Sequence, residues 1–484
     1  MTGERLFIGG ERVEGADGAF EIVNPATEEV IGAAPEASPD QVRDAARAAA
    51  EAFPAWSRTT PEERAALLDR LADAVRDRRD DWVPLVQAET GATLRVAKTM
   101  QVPNVIERLR RYARGALEPT TTALPPAEMP ATALSSGALM GAVAVRQPVG
   151  VVACITPYNF PLVNMAGKIG PALAMGNTVV VKPAPQDPLA VLRFADAVEE
   201  AGFPPGVINI VTGSGAAAGE ALVAAPEVDM VSFTGSTAVG RRIGEVAGHD
   251  MKRLLLELGG KGAAVVFDDA DLKATIGAIS SVWAFHSGQI CTAPTRVLAQ
   301  RGIYEQLVAG LTAAAAKLQV GDPLDARTVV GPVISAAQRD RIESYIRVGA
   351  EEGGSVVAGG ERPALGSGFY VAPTLIAGCK PGMKVVQEEI FGPVVVVLPF
   401  DDEDEGIALA NGTDFGLYDY VFTADTVRGM RVARHLRSGN VGINTAQRNP
   451  EAPFGGFKLS GVGRDGGSYG LQAYSELQAI VWPG

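Results

Sequence analysis

The hydrophobic pattern changes character at Pro148. Before it, residues 39–115 carry apolar positions at helical spacing. Pro39-Asp40 opens an Ala-rich amphipathic run, and Pro61-Glu62-Glu63-Arg64 has the proline and acidic residues of a helix first turn. Residues 118–132 hold Pro119, Pro125, Pro126 and Pro130 and predict an extended excursion. After Pro148, short apolar runs predict buried strands at 149–155, 178–181, 207–211 and 230–233, separated by helices through Leu173, at 188–201 and at 216–224. This alternation predicts right-handed crossovers and a parallel sheet covered on both faces. Ligands of such sheets bind beyond the carboxyl ends of the strands, here at residues 156–161, 182–188, 212–215 and 234–240.

A second α/β block begins near Leu258, with strands expected at 263–267, 295–299, 355–358, 394–398 and 440–444. Ala479-Ile480-Val481-Trp482 reads as a short strand without an obvious partner, a candidate for pairing at a subunit interface. The length, 484 residues, predicts two or three domains. The net charge of −13 offers no basic stripe for nucleic acid. Three cysteines predict a reduced, cytoplasmic protein without a disulfide framework. Met1-Thr2-Gly3-Glu4-Arg5 lacks the apolar core of a leader, and no apolar run approaches the ~20 residues that cross a bilayer.

Candidate chemistry centres on Cys291, in the polar, Gly-containing run Phe285–Thr292. A thiolate there could act as a nucleophile, and a carboxylate such as Glu257 could activate water against the acyl-enzyme. The alternative is a buried thiol packing as a small hydrophobe. Other motifs fail on context. Gly461-Val462-Gly463-Arg464-Asp465-Gly466 has dinucleotide-type glycines but lies near the C-terminus, outside the βαβ region. Gly466-Gly467-Ser468-Tyr469-Gly470 resembles a serine-hydrolase elbow, but no histidine follows it. His249, His286 and His435 are scattered, so no metal site is expected, and His286 reads as a packed residue rather than a base for Cys291.

Seven segments in order resemble the aldehyde dehydrogenase superfamily: Thr156-Pro157-Tyr158-Asn159-Phe160-Pro161, Lys182-Pro183, Phe233-Thr234-Gly235-Ser236-Thr237, Glu257-Leu258-Gly259-Gly260-Lys261, Gly288-Gln289-Ile290-Cys291, Glu388-Glu389-Ile390-Phe391-Gly392-Pro393 and Pro453-Phe454-Gly455-Gly456. The resemblance implies an α/β fold with three parts. These are a Rossmann-like parallel-sheet cofactor domain (1–125 and 148–256), an α/β catalytic domain (257–462) and a small β oligomerisation extension (126–147 and 463–484), assembling as a dimer or tetramer. It implies NAD- or NADP-dependent oxidation of an aldehyde to an acid through a cysteine thiohemiacetal and thioester. Cys291 would be the nucleophile. Asn159 and the Cys291 N–H would form the oxyanion hole, and Glu257 would be the base. Thr156, Tyr158, Lys182, Gly215, Gly235, Ser236, Glu389 and Phe391 would hold the cofactor. Phe160, Gly167, Phe285, Thr292 and Phe454 would line the substrate pocket.

The sequence departs from the family pattern at several positions. Pro185 stands where many NAD-preferring relatives have a glutamate, which removes a bar to NADP; the lack of arginine in Lys182–Pro188 favours NAD. Gly167 replaces a common tryptophan, which predicts a wider entrance and bulky or aromatic aldehydes. Arg448 could instead pair with a carboxylate and favour semialdehydes, or be a solvated surface residue. Tyr418 and Tyr420 fall where relatives tend to have small residues, without an explanation from sequence. The competing readings are a CoA-acylating member, which Glu257 argues against, a non-catalytic scaffold, and a cysteine protease lacking a Cys-His-Asn arrangement.

Overall fold

The computed structural model describes residues 3–134 and 136–483. Met1 and Thr2 of the segment read for a leader, Ser135 of the expected extension, and Gly484 lie outside the described residues. Strands Val151–Ile155, Thr178–Lys182, Ile208–Ile210, Met230–Thr234 and Arg253–Glu257 form the parallel core of an eight-stranded sheet. The first two are buried at every position, which is why they read as continuous apolar runs rather than alternating ones.

Strand order creates the crevice. From Val151–Ile155 the chain winds one way through Thr178–Lys182 to Ile208–Ile210. It then crosses back to lay Met230–Thr234 and Arg253–Glu257 on the other side. The direction of winding reverses at Val151–Ile155, so the helices after neighbouring strands diverge and leave room beyond Ile155. Residues 156–161 occupy that room. Helix Pro161–Ala174 follows at once, with all but one of its residues buried.

The helical N-terminal region resolves into Pro39–Trp56, Pro61–Asp77, Arg79–Thr90 and Val102–Ala116. Capping boxes at Ser38/Gln41 and Thr60/Glu63 satisfy the free N–H groups of the first two. Leu6–Ile8 and Glu11–Val13 add an antiparallel edge that periodicity over three residues could not predict. On the opposite edge Gly461–Val462 runs antiparallel to Arg253–Glu257, so the dinucleotide-type glycines begin on an edge strand and lie outside any βαβ turn.

A second sheet of seven strands has the order Ser355–Ala358, Thr374–Ala377, Val394–Phe400, Arg296–Gln300, Ala263–Val266, Tyr418–Phe422, Asn440–Ile443. All its pairs are parallel except Ser355–Ala358 with Thr374–Ala377. Thr121–Met129, Ala138–Pro148 and Ser475–Pro483 form a separate antiparallel sheet. The C-terminal strand therefore has a partner in its own chain, in register from Ser475↔Pro148 to Pro483↔Met140. Sequence separation hid that partner, because hydrogen-bond pairing leaves no local pattern. Ser475–Pro483 is an outer strand of that sheet, and its Leu477, Ile480, Val481 and Trp482 are exposed.

Candidate active site

Cys291 precedes strand Arg296–Gln300, at the amino end of the second sheet, and faces the carboxyl end of the first. Two glycines make this meeting possible. A Cβ on Gly260 would lie 2.5 Å from the Cys291 carbonyl oxygen, backbone against backbone. A Cβ on Gly259 would collide with the Glu389 carboxylate, 2.9 Å from its carboxyl carbon. Larger residues would push both loops off Glu257-Leu258-Gly259-Gly260.

Asn159 is buried beyond Ile155, where the sheet reverses. Its Nδ2 donates to the Gln289 carbonyl at 2.8 Å, and its Oδ1 accepts from the Phe160 N–H at 3.1 Å. This pairing fixes which end of the amide is nitrogen. One Nδ2 hydrogen holds the loop two residues before Cys291, and the other has no partner among the described residues. Gln289 is itself held, its Nε2 on the His286 carbonyl and its Oε1 on the Ile334 N–H. Gln101 Nε2 anchors the Asn159 carbonyl at 3.1 Å. The Cys291 N–H is turned toward its own sulfur. The Asn159 amide and this N–H are both neutral donors, of the kind that can stabilise a developing oxyanion.

Cys291 is part-exposed, whereas Cys154 and Cys379 are buried. Burial of its sulfur pushes the Cys291 thiol up to about 12, opposed by the positive charge of Arg448. Glu257, at the end of strand Arg253–Glu257, is buried with both carboxylate oxygens unpartnered. Burial, reinforced by Asp465, holds its pKa well above the usual carboxylate range. An unpaired carboxyl of raised pKa beside a thiol has the properties of a general base. Sequence reasoning missed the group behind it. Lys168 is buried, donates to Ser232 Oγ at 3.1 Å, and is lowered in pKa by burial. Ser232 in turn pairs with Tyr474 at 2.7 Å. A lone charged residue in the largely apolar run 161–174 was the available signal.

The cleft beside Cys291 offers a cradle for a dinucleotide. Glu389 accepts from the Gly260 N–H at 2.9 Å, and burial raises its pKa. Phe391 has φ +59° and meets Tyr158 edge-on at 5.8 Å. Thr156 Oγ1 is buried without a partner. Lys182, at the end of its strand, donates to the Pro183 carbonyl at 3.1 Å, and burial lowers it to about 8. The carboxylate that opposes this shift is Glu36, which accepts from the Ser214 N–H at 2.8 Å. Ser236 caps helix Thr237–His249, accepting from Val239 at 3.4 Å, with Gly235 before it. Gly215 has open space where a side chain would stand.

On the substrate side, Phe160 stacks with Phe285 at 5.7 Å, and Phe454 packs in the cluster that holds Cys291. Tyr420 now has a role, donating to the Thr292 carbonyl at 2.7 Å while stacking on Tyr418 at 4.8 Å. His286 is buried and lowered to about 4, a neutral packing residue. The wider entrance expected at Gly167 is corrected: Gly167 is buried, and its missing side chain is replaced by the Arg108 guanidinium, whose Cζ would lie 3.2 Å from a Cβ there. Arg108 belongs to a helix with arginines at 108, 110, 111 and 114, a pattern that reads from sequence as a solvated face.

A part-exposed thiol, a buried amide and a buried unpaired carboxyl thus gather at the reversal point of a parallel nucleotide-type sheet. Residues 13–480 match the model of the Aldehyde dehydrogenase family. An aldehyde dehydrogenase of Emericella nidulans is 40% identical over 481 residues, 98% of this chain and 94% of that one. Glutarate-semialdehyde dehydrogenase of Pseudomonas aeruginosa is 38% identical over 486 residues, 99% of this chain and 98% of that one. The crystal structure of betaine aldehyde dehydrogenase from Staphylococcus aureus in complex with NAD+ superposes with a TM-score of 0.94 at 36% identity, covering 99% of this chain and 94% of that one. The chain belongs to the aldehyde dehydrogenase family and is an oxidoreductase acting on aldehydes. Among the described residues, no helix is long and apolar enough to cross a membrane.

Proposed function

We propose that this chain oxidises an aldehyde to its carboxylic acid with NAD, using Cys291 as nucleophile, Asn159 as oxyanion donor and Glu257 as base. The observation that carries this reading is the Asn159 amide, tied at 2.8 Å to the Cys291 loop with one N–H left to donate. Cys291 Sγ loses its proton to solvent and bonds as a thiolate to the aldehyde carbon, and the carbonyl π pair moves to the oxygen, which takes negative charge between Asn159 Nδ2 and the Cys291 N–H. The nicotinamide, when bound, supplies the acceptor for the aldehyde hydride. Water then adds to the thioester carbon while Glu257 takes its proton. The carbon–sulfur bond breaks, the acid leaves, and Cys291 is restored.

Glu389, Phe391, Tyr158 and Thr156 would hold the nicotinamide half of the cofactor, and Lys182 the adenosine ribose. Ser236, Gly235 and Gly215 would lie along the pyrophosphate, near a helix N-terminus that favours anions. The relatives support NAD, since the Staphylococcus aureus enzyme was solved with it. Glu36 supports it as well: a carboxylate beside Lys182 would repel a 2′-phosphate and supply the charge that Pro185 does not. The exposed edge of Ser475–Pro483 supports assembly into a dimer or tetramer, since an unpaired apolar edge strand is a template for pairing. Reduced, unbridged cysteines support a cytoplasmic location.

The test is absorbance at 340 nm with a panel of aldehydes, NAD or NADP, for wild type and Cys291→Ala. Reduction with NAD that vanishes in the variant is the expected result. Reduction only with added CoA would assign an acylating enzyme, and none with any aldehyde would assign a scaffold.

A further inference from the structure

Two guanidinium groups from distant parts of the chain lie near one another, and one of them near Cys291. Arg108 projects from helix Val102–Ala116 into the space that Gly167 leaves, donating to the Val163 carbonyl at 3.2 Å. Arg448 stands on the loop between Asn440–Ile443 and Phe457–Lys458. It is solvent-accessible, yet its guanidinium packs over the Phe454 ring at 3.7 Å. Among the described residues, neither arginine has a carboxylate within the 4.0 Å of an ion pair. The nearby Asp465 carboxylate already accepts from the Gly466 N–H at 2.7 Å and from the Tyr112 hydroxyl at 3.4 Å.

The two arginines also feel one another. Desolvation lowers the Arg448 pKa first, and the charge of Arg108 lowers it further, while the field of Arg448 reaches Cys291. Asp465 partly offsets this repulsion but, among the described residues, makes no ion pair with either arginine, so the two like charges gain from a further anion between them. Arginine forks suit a carboxylate, because each can present two parallel N–H groups to its oxygens. Aromatic rings stand nearby: Phe454, under Arg448, packs in the apolar cluster that also holds Cys291, and Phe160 stacks on Phe285.

Resting on the aldehyde-oxidising reading above, we propose that the preferred substrates are semialdehydes: an apolar chain with the aldehyde at one end, at Cys291, and a carboxylate at the other, held between Arg108 and Arg448. On this assignment the glycine at 167 has a function. It makes room for Arg108, so the site exchanges an aromatic wall for a cation.

The experiment compares kcat/KM for succinic, glutaric and adipic semialdehydes with butanal, pentanal and hexanal, using holoenzyme with saturating NAD. Wild type should prefer at least one acid-terminated aldehyde to its neutral counterpart by tenfold or more. Arg448→Met and Arg108→Met should each reduce that preference by about 10- to 100-fold, chiefly through KM. Gly167→Ala should act like Arg108→Met, because its methyl would displace the guanidinium while leaving the arginine in the chain. Arg448→Lys keeps the charge without the fork and should restore part of the preference. Glutarate should compete with glutaric semialdehyde in wild type and lose that competition in Arg448→Met.

A wild type that favours the neutral aldehydes overturns the proposal and leaves the catalytic reading intact. Equal losses for acid-terminated and neutral aldehydes also overturn it. If the pH profile of Cys291 alkylation moves as well, Arg448 is assigned to the thiolate and not to the substrate. No oxidation of any aldehyde by wild type overturns the catalytic reading and this proposal with it.

Discussion

Gly259→Ala and Gly260→Ala add the same methyl to adjacent residues, yet they should damage different steps. Neither glycine has positive φ, so alanine is compatible with both backbones and the effect is steric. At Gly259 the new carbon would lie 2.9 Å from the Glu389 carboxyl carbon, where an ordinary carbon–carbon contact is ~3.5–4.0 Å. The obstacle is the end of a flexible side chain, so Glu389 recedes by ~1 Å and the fold survives. The 2.9 Å bond from the Gly260 N–H is then lost, and Glu389 leaves the place proposed for the nicotinamide ribose. A hydrogen bond to a charged group contributes ~1.5–3 kcal/mol, so KM for NAD should rise by about 10- to 150-fold with little change in Tm.

At Gly260 the obstacle is the Cys291 carbonyl at 2.5 Å, which cannot rotate away. Overpacking of that kind costs ~1–3 kcal/mol and moves the nucleophile. Tm and kcat should fall together there. Steady-state kinetics with varied NAD, fluorescence titration of NAD and differential scanning fluorimetry separate the two outcomes. An unchanged KM for NAD in Gly259→Ala, with full activity, would refute the cradle.

Four further outcomes follow from individual residues. Glu257→Gln should retain a first burst of about one NADH per active site and then slow by ~10²–10⁴-fold, seen by stopped flow. Because burial raises the Glu257 pKa, the wild-type steady-state rate should climb with pH as the carboxyl loses its proton, and this acid limb should be absent in Glu257→Gln. Tyr420→Phe removes the donor to the Thr292 carbonyl, 2.7 Å away; it should destabilise by ~1 kcal/mol and lower kcat severalfold, measured by urea unfolding and steady-state rates. Glu36→Gln should raise kcat/KM with NADP relative to NAD by about tenfold, equivalent to ~1.4 kcal/mol, and no change in that ratio would remove Glu36 from cofactor selection.

The sequence determined the parts that depend on local pattern. Continuous apolar runs marked the strands buried on both faces. Their alternation with helices fixed the parallel sheet, because each crossover must bury both partners. The segments around Asn159, Glu257, Cys291 and Glu389 were weak signals singly and carried the resemblance through their shared order along the chain. Tertiary structure decided how they meet. Arg253–Glu257 became a strand through pairing with Met230–Thr234, although it opens on charge and half-exposure. The C-terminal strand found Ala138–Pro148 across more than 300 residues, by backbone bonds that no side-chain pattern announces. The Gln289 carbonyl met Asn159 only when the two sheets faced one another, while Lys168 and Gln101 found Ser232 and Asn159 by packing around the first sheet. Gly167 shows the difference most directly. In sequence it is a missing side chain and predicts open space. In the fold that space is filled by Arg108, because close packing leaves few voids and a neighbouring helix supplied the atoms to fill this one.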